Sequence, residues 1–141
     1  MTKEEIDRRV RIAMENHCKG YNCAQSVTCA FSDLVDMDEE TLFKITEGLG
    51  LGMGGMEGTC GAISAAAILS GLTHSTGNLA APNSKAESYK VSKQCMNSFK
   101  EKNGSLVCRD LKGVDTKKVL RSCNGCIEDA TTIIAESLFS E

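Results

Sequence analysis

Eight cysteines, at positions 18, 23, 29, 60, 95, 108, 123 and 126, are the residues of this 141-residue chain whose number and placement could do chemistry. Thiolates attack disulfides and are soft ligands for iron and zinc, so a count this high points to a disulfide framework, a metal site or redox exchange. Cys123-Asn124-Gly125-Cys126 is a CxxC, a spacing shared by redox dithiols and by one edge of a metal site. There is no second CxxC, and Cys18, Cys23 and Cys29 have four and five residues between them. That spacing supports neither a zinc ribbon nor a ferredoxin loop, so any cluster of these thiols must be assembled by the fold. Cys60 stands first in an apolar helical run behind Thr59, where free amides and the helix dipole favour a thiolate. A lowered pKa is expected there, with Cys60 as the catalytic thiol if the chemistry is thiol redox exchange.

Other motifs carry less. Gly50-Leu51-Gly52-Met53-Gly54-Gly55 matches GxGxxG in form, but a helix rather than a strand precedes it and no acid follows between Glu57 and Glu87. A dinucleotide turn needs both, so the glycines are read as allowing close backbone approach. His17 falls on a helix stripe and His74 in a linker, and neither is taken as a ligand. No Ser/His/Asp arrangement suggests a hydrolase. Two tyrosines and four phenylalanines offer no base-stacking platform, and the net charge of −3 contains no basic block, so no nucleic-acid partner is expected.

The elements that must position the cysteines read as helices. Lys3 to His17 carries apolar residues at three-or-four spacing and stops at Lys19-Gly20. Asn22 can cap a second helix whose stripe runs Cys23, Val27, Ala30, Phe31 and Leu34, placing Cys23 inward and Cys29 off the stripe. Asp38 can cap a third helix through Leu42, Ile45, Thr46 and Leu49, which dissolves into the glycine-rich stretch from Gly48 to Gly58. Thr59 is the expected cap of a central helix that is apolar all round. Ser84 with Glu87 suggests a capping box for a fifth helix ending at Gly104, and Asp115 a cap for a last segment with Leu120, Cys123, Ile127, Ala130, Ile134 and Leu138 on one face. No strand alternation, repeat or linker divides the chain. The expectation is all-α: one domain over 1–141, a bundle of five to six helices with a glycine-rich loop before the central one.

The charge-free stretch from Gly58 to Ser84 contains a continuously apolar part, Cys60 to Leu72, that is too short to span a bilayer, so no membrane insertion is expected. The opening Met1-Thr2-Lys3-Glu4-Glu5 has none of the apolar character of a secretory signal. A cytoplasmic protein is expected, and with it metal or redox use of the cysteines rather than a disulfide scaffold.

Three stretches, Gly20-Tyr21-Asn22-Cys23-Ala24-Gln25-Ser26-Val27, Gly54-Gly55-Met56 and Thr59-Cys60-Gly61-Ala62, resemble the redox-active family named for its C_GCAxxG_C_C cysteine pattern. Phe99 ahead of Asn103-Gly104-Ser105-Leu106-Val107-Cys108-Arg109-Asp110-Leu111 resembles that family's third block, and Cys123, Ile127 and Ala130 its last. The resemblance implies redox activity and places the four family cysteines at Cys23, Cys60, Cys108 and Cys123, with Cys126 competing for the last. Cys18, Cys29 and Cys95 are then extras. Ala65 departs from the pattern's glycine, where a methyl would tighten helix packing or narrow access to Cys60. A related cysteine-bearing region in split-Soret cytochromes implies an iron-sulfur cluster by analogy, although no CxxCH haem motif is present. The leading expectation is a cluster held by Cys23, Cys60, Cys108 and Cys123 or Cys126, serving an unidentified redox partner protein. Thiol-disulfide exchange, with Cys60 and a partner cysteine or with Cys123 and Cys126, is the second expectation, and a zinc or soft-metal module the third.

Overall fold

Local capping chemistry decides where most helices start. In the computed structural model, which describes residues 1–139, α1 spans Lys3–Cys18 and is opened by Thr2, whose hydroxyl accepts from the Glu5 amide at 3.1 Å. α2, Cys23–Cys29, opens on a complete capping box in which Asn22 and Gln25 bond each other's backbone amides. α3, Glu39–Thr46, is capped by Asp38. α4 is Gly61–His74, α5 is Lys85–Asn103, α6 is the short Cys108–Lys112, and α7 is Cys123–Leu138 with Ser122 accepting from the Gly125 amide. Among the described residues the only strand-like pairing is an isolated antiparallel bridge between Thr59 and Val107.

α4 is the centre. Ala62, Ile63, Ala65, Ala66 and Leu69 are all fully buried, and α2, α5 and α7 pack around them. Small alanines let the surrounding helices come close, and the bulk is supplied by Phe31, Phe99, Ile127 and Ile134 from those neighbours. α1 lies across α2 and α7 and is tied to the end of α2 by buried Arg9, which donates to the Ala30 carbonyl and pairs with Asp33.

The all-helical class holds, but among the described residues seven right-handed helices are present rather than five to six; α6 is the addition, too short to leave a periodic signal. Several boundaries also differ. Thr59 caps nothing: Cys60 itself is the N-cap of α4 and Gly61 its first residue. The Ser84–Glu87 box does not form, because the Ser84 hydroxyl accepts from the Thr76 amide instead. Asp115 is held by Arg109 in a bidentate pair, α7 begins seven residues beyond the expected point, and Leu120 is left largely exposed outside it. Cys29 is buried, its thiol directed at the Glu39 carbonyl, because α2 ends there and the ideal helical wheel does not extend to Phe31. The glycine-rich stretch is more structured than a loop. It contains a 3-10 turn at Glu47–Leu49 and then a turn at Gly50–Met53, with Leu51, Gly52 and Met53 all at positive φ.

Candidate functional site

Three backbone bonds bring two distant segments together. The Cys60 amide donates to the Leu106 carbonyl, the Cys108 amide to Gly58 and the Arg109 amide to Met56, at 2.7, 3.0 and 2.9 Å. Cys60 and Cys108 are thereby fixed as neighbours although 48 residues apart in the chain. The capping box sets Cys23 at the start of α2, and the Ser122 cap sets Cys123 and Cys126 on the first turn of α7. All five thiols line one cavity of about 170 Å³. Cys18 is exposed, Cys29 and Cys95 are buried elsewhere, and none of the three lines it. Ala65 lies wholly in the core rather than in the cavity wall.

Within the cavity the CxxC does not behave as a pair. The Cys126 thiol neighbours Cys60 and is directed at the Arg121 carbonyl, 4.0 Å away, whereas Cys123 neighbours Cys23 and accepts from the Lys112 ammonium at 3.2 Å. The Cys126 hydrogen bond is the main reason that Cys60 titrates well below an ordinary thiol, at about 7; burial opposes it, and the amides of Ala62 and Ile63 and the Lys112 charge assist. Cys126 lies correspondingly high, since ionising it would forfeit that bond and place a second charge in a buried site. Burial, reinforced by the charges of Cys123 and Cys60, pushes Cys23 up to about 12. Burial also raises Cys108. Lys112 is held in its charged form chiefly by Cys123.

Three further wall residues escaped the sequence reading. Lys112 ends α6, an element with no sequence signal, and Arg121 precedes α7. His17, set aside as a stripe residue, reaches the wall, and its Nδ1 lies 3.0 Å from Oδ1 of Asn124 within the CxxC. Arg121 explains the glycine of that motif: a Cβ on Gly125 would stand 2.4 Å from the Arg121 Nε. Buried Asp129 holds the guanidinium through two bonds of 3.0 and 3.1 Å. Although burial pushes the Asp129 carboxyl up, its bonds from Arg121 and Lys102 hold it below the usual carboxylate range. Asp129→Asn is expected to cost about 2 kcal/mol in urea unfolding, the scale of a lost charge-assisted network whose cations can still reach water.

The soft-thiolate set fits an iron-sulfur cluster in donor type and in its recruitment from separate segments. Among the described residues no three histidine, cysteine, aspartate or glutamate side chains are already grouped as ligands of a metal ion. Nor is any helix among them long and apolar enough to cross a membrane.

An all-helical protein with converging thiols from four chain segments is the class that fold and site define. The chain belongs to the family described as "Putative redox-active protein (C_GCAxxG_C_C)", which it matches over residues 21–137. No curated protein and no solved structure matches it.

Proposed function

We propose that the cavity holds an iron-sulfur cluster on four of the thiolates of Cys23, Cys60, Cys108, Cys123 and Cys126, and that the protein transfers single electrons to a partner redox protein. The observation that carries this reading is the convergence of five cysteines on one cavity. A dithiol enzyme needs two or three cysteines; a fourth, in a set drawn from four chain segments, is what cluster ligation requires. The chain's own residues suit the role. Lys112 and Arg121 offset thiolate charge, and the burial of Cys60, Cys108 and Cys126 keeps water from the sulfurs. Such a cluster supplies one-electron redox chemistry at a potential set by those neighbours.

The test is a visible spectrum of anaerobically purified protein together with iron and acid-labile sulfide per chain. A dithionite-bleachable chromophore with stoichiometric iron and sulfide is the expected result, lost in four of the five single Cys→Ala variants. Protein that stays colourless after reconstitution with iron and sulfide overturns the reading. The second reading, thiol-disulfide exchange at Cys60, is favoured by its position: Cys60 is the N-cap of α4 on the cavity wall, where the amides of Ala62 and Ile63 favour the thiolate.

A further inference from the structure

Resting on the cluster reading, we infer that Lys112 is the positioning residue that makes Cys123, and not Cys126, the ligand contributed by α7, and that its ammonium raises the potential of the site. The ligands are then Cys23, Cys60, Cys108 and Cys123, one from each segment, and Cys126 is a spare thiol. Two independent observations separate the members of the CxxC. The first is their place in the helix. Cys23, Cys108 and Cys123 are the first residues of α2, α6 and α7, and Cys60 is the N-cap of α4, whereas Cys126 stands one turn inside α7. Helical side chains tilt toward the N-terminus, so those at a first position reach past the start of their helix, where the four segments meet. Cys126 has a turn of its own helix ahead of it, and its buried thiol is directed at the Arg121 carbonyl, 4.0 Å away.

The second observation is where the cations go. The Lys112 ammonium donates to the Cys123 sulfur at 3.2 Å, its only hydrogen bond among the described residues, and none of their aspartates or glutamates lines the cavity. Arg121, the other permanent cation of the wall, is balanced by Asp129 through bonds of 3.0 and 3.1 Å. A sulfur must lose its proton to become a ligand, and an ammonium bonded to it favours that form, whereas a thiol directed at a carbonyl keeps its proton. α6 is built to deliver the cation. Lys112 follows Cys108 by four residues, so the two share a face of the helix, and the Cys108 and Arg109 amides anchor its start to the carbonyls of Gly58 and Met56. When the site accepts one electron it gains one negative charge, no bond is made or broken, and Lys112 keeps its proton. A cation on a ligand sulfur stabilises that added charge and so raises the potential.

The experiment uses the full chain, reconstituted without oxygen with iron and sulfide, assayed for both per chain, and titrated with dithionite in the presence of redox mediators. Cys126→Ala is expected to keep the parent's iron, sulfide and visible chromophore, and Cys123→Ala to lose them. Lys112→Met is expected to keep the chromophore but shift the one-electron equilibrium about tenfold toward the oxidised form, a potential about 59 mV lower. Lys112→Arg, which retains the charge, should stay nearer the parent. A merely structural lysine would not move the potential while iron and sulfide stay stoichiometric. A chromophore lost from folded Cys126→Ala, or kept in Cys123→Ala, overturns the selection of Cys123, and an unmoved potential in Lys112→Met overturns the role of the ammonium. Both results leave the cluster reading standing, whereas a parent chain that takes up no iron and sulfide overturns that reading and this inference together. Lys112 is only half-buried, so its variants decide the matter even if Cys126→Ala misfolds.

Discussion

In reduced, metal-free protein the carboxamidomethylation of Cys60 by iodoacetamide is expected to reach half its plateau rate near pH 7, two units below the 9.0 of an ordinary thiol. The pH midpoint is a better readout than the rate at one pH. At pH 7 such a thiol is about half ionised against about 1% for an ordinary one, but a thiolate this weakly basic is also a poorer nucleophile by nearly tenfold, so the net advantage is only about fivefold. The sign of the variants follows from the causes. Cys126→Ala removes the hydrogen bond that contributes most to stabilising the Cys60 thiolate, leaves burial acting against it, and must move the midpoint upward. Lys112→Met removes a smaller, longer-range contribution and should move it upward by less. A peptide-resolved midpoint near 9 in the parent chain, or one unmoved by Cys126→Ala, would mean that the facing pair is not formed in solution.

How far the sequence reached depended on whether a feature was local. Helices α1 and α2 and the α5 stop at Gly104 were legible because the apolar spacing of α1, the Asn22 cap and the glycine are all features of a few neighbouring residues. Capping by Asp115 and Ser84 was misjudged because each side chain is occupied elsewhere, by Arg109 and by the Thr76 amide, and nothing within one turn reveals that. The same division runs through the site. Cys23, Cys60, Cys108, Cys123 and Cys126 were legible as candidates from type, spacing and the family pattern. Their pairing was not: the CxxC suggests one local dithiol, whereas the Thr59–Val107 bridge and the start of α7 decide which sulfurs face each other. Lys112 and Arg121 left no signal, since a cation near a cysteine in sequence is common and its hydrogen bond to Cys123 exists only in the folded chain.

Gly52→Ala should be the most damaging single methyl addition in the glycine-rich turn. Gly52 has φ of 56° between two residues, Leu51 and Met53, that already occupy the left-handed region. A side chain there adds about 1–2 kcal/mol of backbone strain to a turn whose neighbours are strained already. Its Cβ would also stand 2.5 Å from the Cys108 Cβ and 2.9 Å from the Gly58 carbonyl, the acceptor for the Cys108 amide. Neither contact can yield cheaply, because one atom is backbone and the other is one bond from it, so overpacking adds a similar amount. We expect a total loss of about 3 kcal/mol in urea unfolding. Gly55→Ala is the control: its Cβ would meet nothing within 4 Å, and its φ is not positive. The damage should also be directional. Since the collision pushes on α6 at Cys108, the Gly52 variant should alkylate faster at Cys108 than the parent, while Cys95, buried on α5, should remain protected. Equal stability of the two alanine variants would show that the turn relaxes away from Cys108, and that the left-handed path of residues 51–53 does not set the position of that thiol.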